Sequence, residues 1–195
     1  IDVRLDGNSK TTNSTLCGEK IDVISNNLVE NLHASGSDVY IASGKINSSS
    51  IFGGEGTNDE IKIKSNNDFK NSVLATGSGR DNINIILAGN QNIRGTFVDS
   101  GSGNDKIVVD TPNFIRGGTV YGGSGDDNIS YNSTNLGEAN DISIRLSSSK
   151  TKDEINILSL KQSDRPVFEI PRGGEISIAG QNVDSGLVVL EKNKI

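Results

Sequence analysis

A short phrase recurs along this chain. It reads Gly56-Thr57-Asn58-Asp59-Glu60-Ile61-Lys62-Ile63, then Gly79-Arg80-Asp81-Asn82-Ile83-Asn84-Ile85, then Gly103-Asn104-Asp105-Lys106-Ile107-Val108-Val109, then Gly125-Asp126-Asp127-Asn128-Ile129-Ser130-Tyr131. Asp59, Asp81, Asp105 and Asp127 stand 22, 24 and 22 residues apart. A fixed period of this size belongs to repeat architectures, in which each unit buries its apolar face only against the next.

Weaker copies extend the series. Anchoring each on its first apolar residue gives Val3, Ile21, Val39, Ile61, Ile83, Ile107, Ile129, Ile155 and Ile176, each followed two residues later by a second apolar residue. Alternation of β-branched residues with polar ones predicts a short strand with one buried face. Two further apolar columns are expected, one at Leu32, Ile51, Val73, Phe97 and Val120, the other at Leu28, Ile46, Phe69, Ile93 and Ile115. Three apolar columns per repeat make a coil of two or three strands around a narrow core. Stacked, such coils give an all-β, right-handed parallel β-solenoid of about eight to nine coils, with no long helix.

Composition fits this plan. Of 195 residues 32% are hydrophobic and 4% aromatic, with no Trp or Met, while Gly reaches 23 and Pro only 3. Ile, Val and Leu ladders fill a core one coil wide, and corners use Gly and Asn, which tolerate positive φ. The whole chain, 1–195, reads as a single solenoid domain: degenerate coils over 1–52, strong coils over 53–131, and irregular last coils with a C-terminal cap over 132–195. In the last stretch Asp141-Ile142-Ser143-Ile144 reads as a strand falling between rungs.

The strong corners are Gly53-Gly54-Glu55-Gly56-Thr57-Asn58-Asp59, Thr76-Gly77-Ser78-Gly79-Arg80-Asp81, Ser100-Gly101-Ser102-Gly103-Asn104-Asp105 and Gly122-Gly123-Ser124-Gly125-Asp126-Asp127. Glycines free the turn carbonyls to point at a hard cation, and the aspartate adds a carboxylate. From Gly53 to Tyr131 the sequence resembles the haemolysin-type, or RTX, calcium-binding repeat family, with its G-G-x-G-x-D-x-U-x nonapeptide. The resemblance implies Ca2+ held between successive turns by Gly54, Gly56, Asn58, Asp59, Gly77, Gly79, Asp81, Gly101, Gly103, Asn104, Asp105, Gly123, Gly125, Asp126 and Asp127. The chain departs from that family in using 22 to 24 residues per coil with one motif each, which suggests a hybrid of β-roll and β-helix with calcium along one edge. The first corner carries an extra residue, so Asn58 and Asp59 both compete for the motif's aspartate position. Asp38 is a weaker candidate, and Asp99 and Glu55 are auxiliary ones that read better as solvated.

Other residues promise less chemistry. His33 has no partner histidine or cysteine, and nothing places a carboxylate beside it for Ser-His-Asp catalysis. Cys17, the single cysteine, cannot form an internal disulfide and reads as a small core residue. Lys70, Arg94 and Arg116 recur at coil spacing and would form a cationic stripe suited to a polyanion, with pairing to neighbouring acids as the competing reading.

A net charge of -6 argues against nucleic acid, and no apolar run is long enough for membrane insertion. The expected role is a calcium-stabilised structural or adhesive module of an extracellular or virion surface assembly: an S-layer, adhesin, filament or appendage. It would be secreted or displayed at a cell or virion surface, partnering other subunits or domains, with acidic polysaccharide as a further candidate. The strand-like start Ile1-Asp2-Val3-Arg4-Leu5 suggests a first rung that abuts another domain. The alternative is a carbohydrate-active β-helix, a uronate lyase or epimerase. Against it stands the lack of a Tyr, His or Lys set converging on one point, so no catalytic residue is expected.

Overall fold

Strands form where apolar and polar residues alternate, and each strand hydrogen-bonds in parallel to its counterparts one coil away. The computed structural model describes residues 2–5, 10–88, 93–111, 115–116, 118–133, 142–145, 154–157, 167–169, 175–178 and 189–190, with side chains over 10–88, 93–111 and 118–132. Among the described residues every regular element is a strand, and no helix long and apolar enough to cross a membrane occurs. The chain is a parallel β-solenoid.

A thirteen-stranded and a nine-stranded sheet form its walls. Lys20–Glu30 and Asp38–Asn47 are long strands that carry two walls each, with a bulge between Ser25 and Leu28 adjusting the register. In later coils the same path is split: Glu60–Ser65 then Phe69–Lys70, Asn82–Leu87 then Ile93–Arg94, Lys106–Thr111 then Ile115–Arg116. The nine-stranded sheet supplies the third wall through short strands such as His33–Ser35, Ser50–Phe52, Val73–Ala75, Phe97–Asp99 and Gly118–Tyr121.

The first wall matches the expected ladder. Ile21, Val39, Ile61, Ile83, Ile107 and Ile129 stack in register, and all are buried, as are their partners two residues on from Val23 to Tyr131. Backbone register carries the ladder to Ile155 and Ile176, whereas Val3 pairs with Val23 rather than Ile21, so the first rung sits two residues off the expected anchor. Each buried aliphatic side chain contributes about 1.5–3 kcal/mol, so this single seam supplies much of the cohesion between coils.

The other two walls differ from the sequence expectation. On the second wall Val29, not Leu28, stacks on Ile46, Phe69 and Ile93. On the third the buried column is Ala34, Ile51, Leu74, Val98 and Val120. Val73 and Phe97 point outward, 37% and 40% exposed. Where two apolar residues are adjacent in a three-residue strand, alternation alone leaves the inward face open, and the preceding corner decides it.

Leu32 is buried at that corner, where its N–H donates to Ser49 Oγ (3.3 Å), and Ser49 N–H donates to Ser72 Oγ (3.1 Å). The hydroxyls of Ser49 and Ser72 return to the carbonyls of Asn47 and Lys70 (2.9 and 2.7 Å). These side chains satisfy backbone groups where the chain turns off the ladder. Just before them Asn13, Asn31, Ser48, Asn71 and Gly95 hold positive φ of 48 to 58°, and Asn31 Nδ2 donates to Asn13 Oδ1 at 3.0 Å.

Ile142–Arg145 pairs with Gly118–Tyr121 and Val167–Glu169, so it belongs to the nine-stranded sheet rather than falling between rungs. Glu175–Ile178 and Val189–Leu190 also extend the sheets. The rest of the expected cap lies outside the described residues.

Candidate metal-binding edge

The four glycine corners stack on one edge. Ser78, Ser102 and Ser124 form parallel bridges, and Ser102 and Ser124 N–H donate to the carbonyls of Gly77 and Gly101, each at 2.8 Å. Gly103 has φ of +138°, and a Cβ there would fall on the carbonyl oxygen of Gly79. Gly101 is in the same position against Gly77, Gly123 against Gly101 and Gly125 against Gly103. Glycine is required because successive backbones touch.

The first corner absorbs its extra residue at Glu55 and Gly56. A Cβ added at Gly56 would meet nothing within 4 Å, and the Gly56 N–H donates to Ser78 Oγ at 3.0 Å. It is Thr57, not Gly56, that lies opposite Gly79. Gly54 lies under Gly77.

Directly after the glycines runs a column of buried aspartates: Asp59, Asp81, Asp105 and Asp127, each no more than 3% exposed. Asp59 N–H donates to Asp81 Oδ1 (2.8 Å), Asp81 N–H to Asp105 Oδ1 (2.8 Å) and Asp105 N–H to Asp127 Oδ1 (3.0 Å). Thr57 Oγ1 donates to Asp59 Oδ1 at 2.6 Å. Asp59 therefore fills the column and Asn58 does not. Asn58 and Asn104 face solvent, accepting the N–H of Arg80 (2.8 Å) and Asp126 (3.1 Å) at Oδ1. Asp126 is exposed and lies outside the buried column.

The inner oxygens carry the electrostatic tension. Oδ2 of Asp59, Asp81 and Asp105 is buried and accepts no hydrogen bond. Carboxylates one coil apart, about 4.8 Å, repel by about 3.5 kcal/mol at an effective dielectric of about 20. Burial pushes the Asp105 carboxyl up to about 6, with the Asp81 charge adding to the rise and the Asp81 N–H opposing it. Burial likewise raises Asp59, against the Thr57 hydroxyl.

A hard cation between coils would have the buried Oδ2 atoms of neighbouring aspartates as its ligands. Two observations limit how tightly it is held. Among the described residues no three His, Cys, Asp or Glu side chains surround one point, and the Gly77 and Gly101 carbonyls are already bonded to the next coil. An ion between two coils would draw on about two carboxylates, with water completing its shell. Such low ligand charge corresponds to the weak end of protein calcium sites, about 10⁻⁴–10⁻³ M.

Other expected residues fall elsewhere. Asp38 pairs in register with Glu60, one place past the aspartate column, and ion-pairs with Lys20 at 3.4 Å. Asp99 is half-buried rather than solvated: its Oδ1 accepts the Gly101 N–H at 2.9 Å, and burial raises its carboxyl. Glu55 is exposed. Asn47, Lys70, Arg94 and Arg116 do pair in backbone register as one column. Within it Lys70 is neutralised by an ion pair to Asp68 and Asn47 donates to Glu30 Oε1 (2.8 Å), so the competing reading of pairing holds at Lys70. The side chain of Arg116 lies outside the described residues. Cys17 is exposed, on the outer face beside Ser35, and not a core residue. His33 packs its ring on Phe52 with centroids 5.4 Å apart.

No family model matches the chain, and no curated protein or solved structure matches it either.

Proposed function

We propose that the chain is a calcium-stabilised structural or adhesive module of an extracellular or virion surface assembly, its coils tied along one edge by divalent ions. The observation that carries this reading is the file of buried, unpartnered Oδ2 atoms at Asp59, Asp81 and Asp105. Buried carboxylates that are neither paired nor hydrogen-bonded on one oxygen are costly, and a cation removes that cost. Weak sites fill where calcium is millimolar, which favours a location outside the cytosol.

The finer architecture belongs to the same proposal: an RTX-like hybrid of β-roll and β-helix, right-handed, of about eight to nine coils, closed by a C-terminal cap. Its partners would be other subunits or domains of the assembly. Chelation tests it. Because binding is coupled to the folded state, melting followed by circular dichroism should shift upward with added calcium and downward with chelator. Identical melting curves in both would overturn the proposal.

A further inference from the structure

We infer that a groove over the outer side of this edge binds an acidic oligosaccharide of the uronate type, through Arg80 and Lys106. The groove, about 540 Å³, lies between two outward columns, Arg80, Asn104 and Asp126 on one side and Asn82, Lys106 and Asn128 on the other. It crosses three successive coils, and its volume lies in the range of sites for small organic ligands, about 300–1,000 Å³. Its place is distinct from the Lys70 column, which runs along another corner of the coil.

Two features set its chemistry. Neither Arg80 nor Lys106 ion-pairs with any described residue, although the chain carries net charge -6 and Lys20 and Lys70 both find carboxylates. They stand in neighbouring coils and face the same groove, so one carboxylate can meet the guanidinium fork and the ammonium together. Around them the amides of Asn82 and Asn104 offer further polar groups of the kind that sugar hydroxyls need, while the Asn128 Oδ1 accepts the Ser130 hydroxyl at 3.4 Å. Asn104 uses its Oδ1 on the Asp126 N–H, which leaves its Nδ2 to donate.

Asp81 and Asp105 form the floor, but their unpartnered oxygens face inward and are inaccessible from the groove. Asp126 at the rim can accept a hydroxyl, and its charge confines the ligand's carboxylate to the Arg80 and Lys106 end. No apolar side chain lines the groove. A peptide partner would lack the buried apolar anchor that such interfaces depend on, whereas a hydrophilic sugar needs none.

Titration calorimetry with a galacturonate trisaccharide tests this, run on the full chain with calcium and again with chelator. The expected result is binding that weakens as salt rises and falls at least tenfold in the double variant Arg80→Gln, Lys106→Gln, with Lys62→Gln unchanged. Both substituted side chains are exposed, so the melting curve of the double variant should match the parent. Binding undiminished in the double variant, or equal binding of a neutral galactose trisaccharide, would overturn the inference, as would tighter binding of a glutamate tripeptide. Sugar binding by a chain that takes up no calcium would support the groove while sinking the calcium reading. Calcium uptake without sugar binding would do the reverse.

Discussion

Replacing Gly103 by alanine should unlock the corner stack. Its φ of +138° is one that side-chain-bearing residues hold at a cost of about 1–3 kcal/mol. The new methyl would fall on the Gly79 carbonyl oxygen, so adjacent coils must separate locally. Separation weakens the bonds from Gly79 N–H to Ser102 O (2.9 Å) and from Ser102 N–H to Gly77 O (2.8 Å), about 1 kcal/mol each. The sum is about 3–5 kcal/mol. Gly56→Ala is the matched control: its φ of +70° is also left-handed, but nothing stands within 4 Å of the added methyl. Its cost of about 1–2 kcal/mol is partly offset by the reduced freedom of the unfolded chain, about 0.4–1 kcal/mol. Urea unfolding followed by circular dichroism reads the difference. At a slope of about 2 kcal/mol/M, Gly103→Ala should lower the midpoint by about 1.5–2.5 M and Gly56→Ala by less than about 1 M. Equal midpoints for the two variants would refute the close-stacking argument.

The inward faces of the third wall make a second test: Leu74→Ala should cost about 2–5 kcal/mol and its outward neighbour Val73→Ala within about 0.5 kcal/mol, both measured by denaturant melts. Ser48 holds a φ of +49° between Asn31 and Asn71, so Ser48→Asn should raise the melting temperature, by about 0.5–1 kcal/mol of stability. In calcium-free buffer the raised Asp105 carboxyl makes the folded chain bind protons more tightly than the unfolded one. That contribution is full below the unfolded value near 4 and is lost as pH rises through about 6. The apoprotein should therefore melt higher at pH 5 than at pH 7, and Asp105→Asn should flatten that dependence; a parent that melts higher at pH 7 without calcium would contradict it.

Sequence reading succeeded on the first wall because each strand there follows a fixed corner and alternates cleanly, as in Ile61-Lys62-Ile63 and Ile83-Asn84-Ile85. It failed by one residue at Leu28-Val29, Val73-Leu74 and Phe97-Val98, where neighbouring apolar residues erase the alternation and only the corner geometry fixes the inward side. The aspartate column was visible as a spacing, but choosing Asp59 over Asn58 required the inter-coil bond to Asp81. The hydroxyls of Ser49 and Ser72 are hard to foresee because polar residues read as loop, though their spacing of 23 residues repeats with the coils. Arg80 and Lys106 were hidden for another reason. They belong to different repeats and different columns, and they share a groove only after the coils stack.

The calcium edge is tested most directly by anomalous diffraction from crystals grown in calcium. Discrete peaks should lie along the glycine edge, at about 2.3–2.6 Å from Oδ2 of Asp59, Asp81 or Asp105. An edge without peaks at saturating calcium, with those oxygens hydrogen-bonded to protein or water instead, would contradict it.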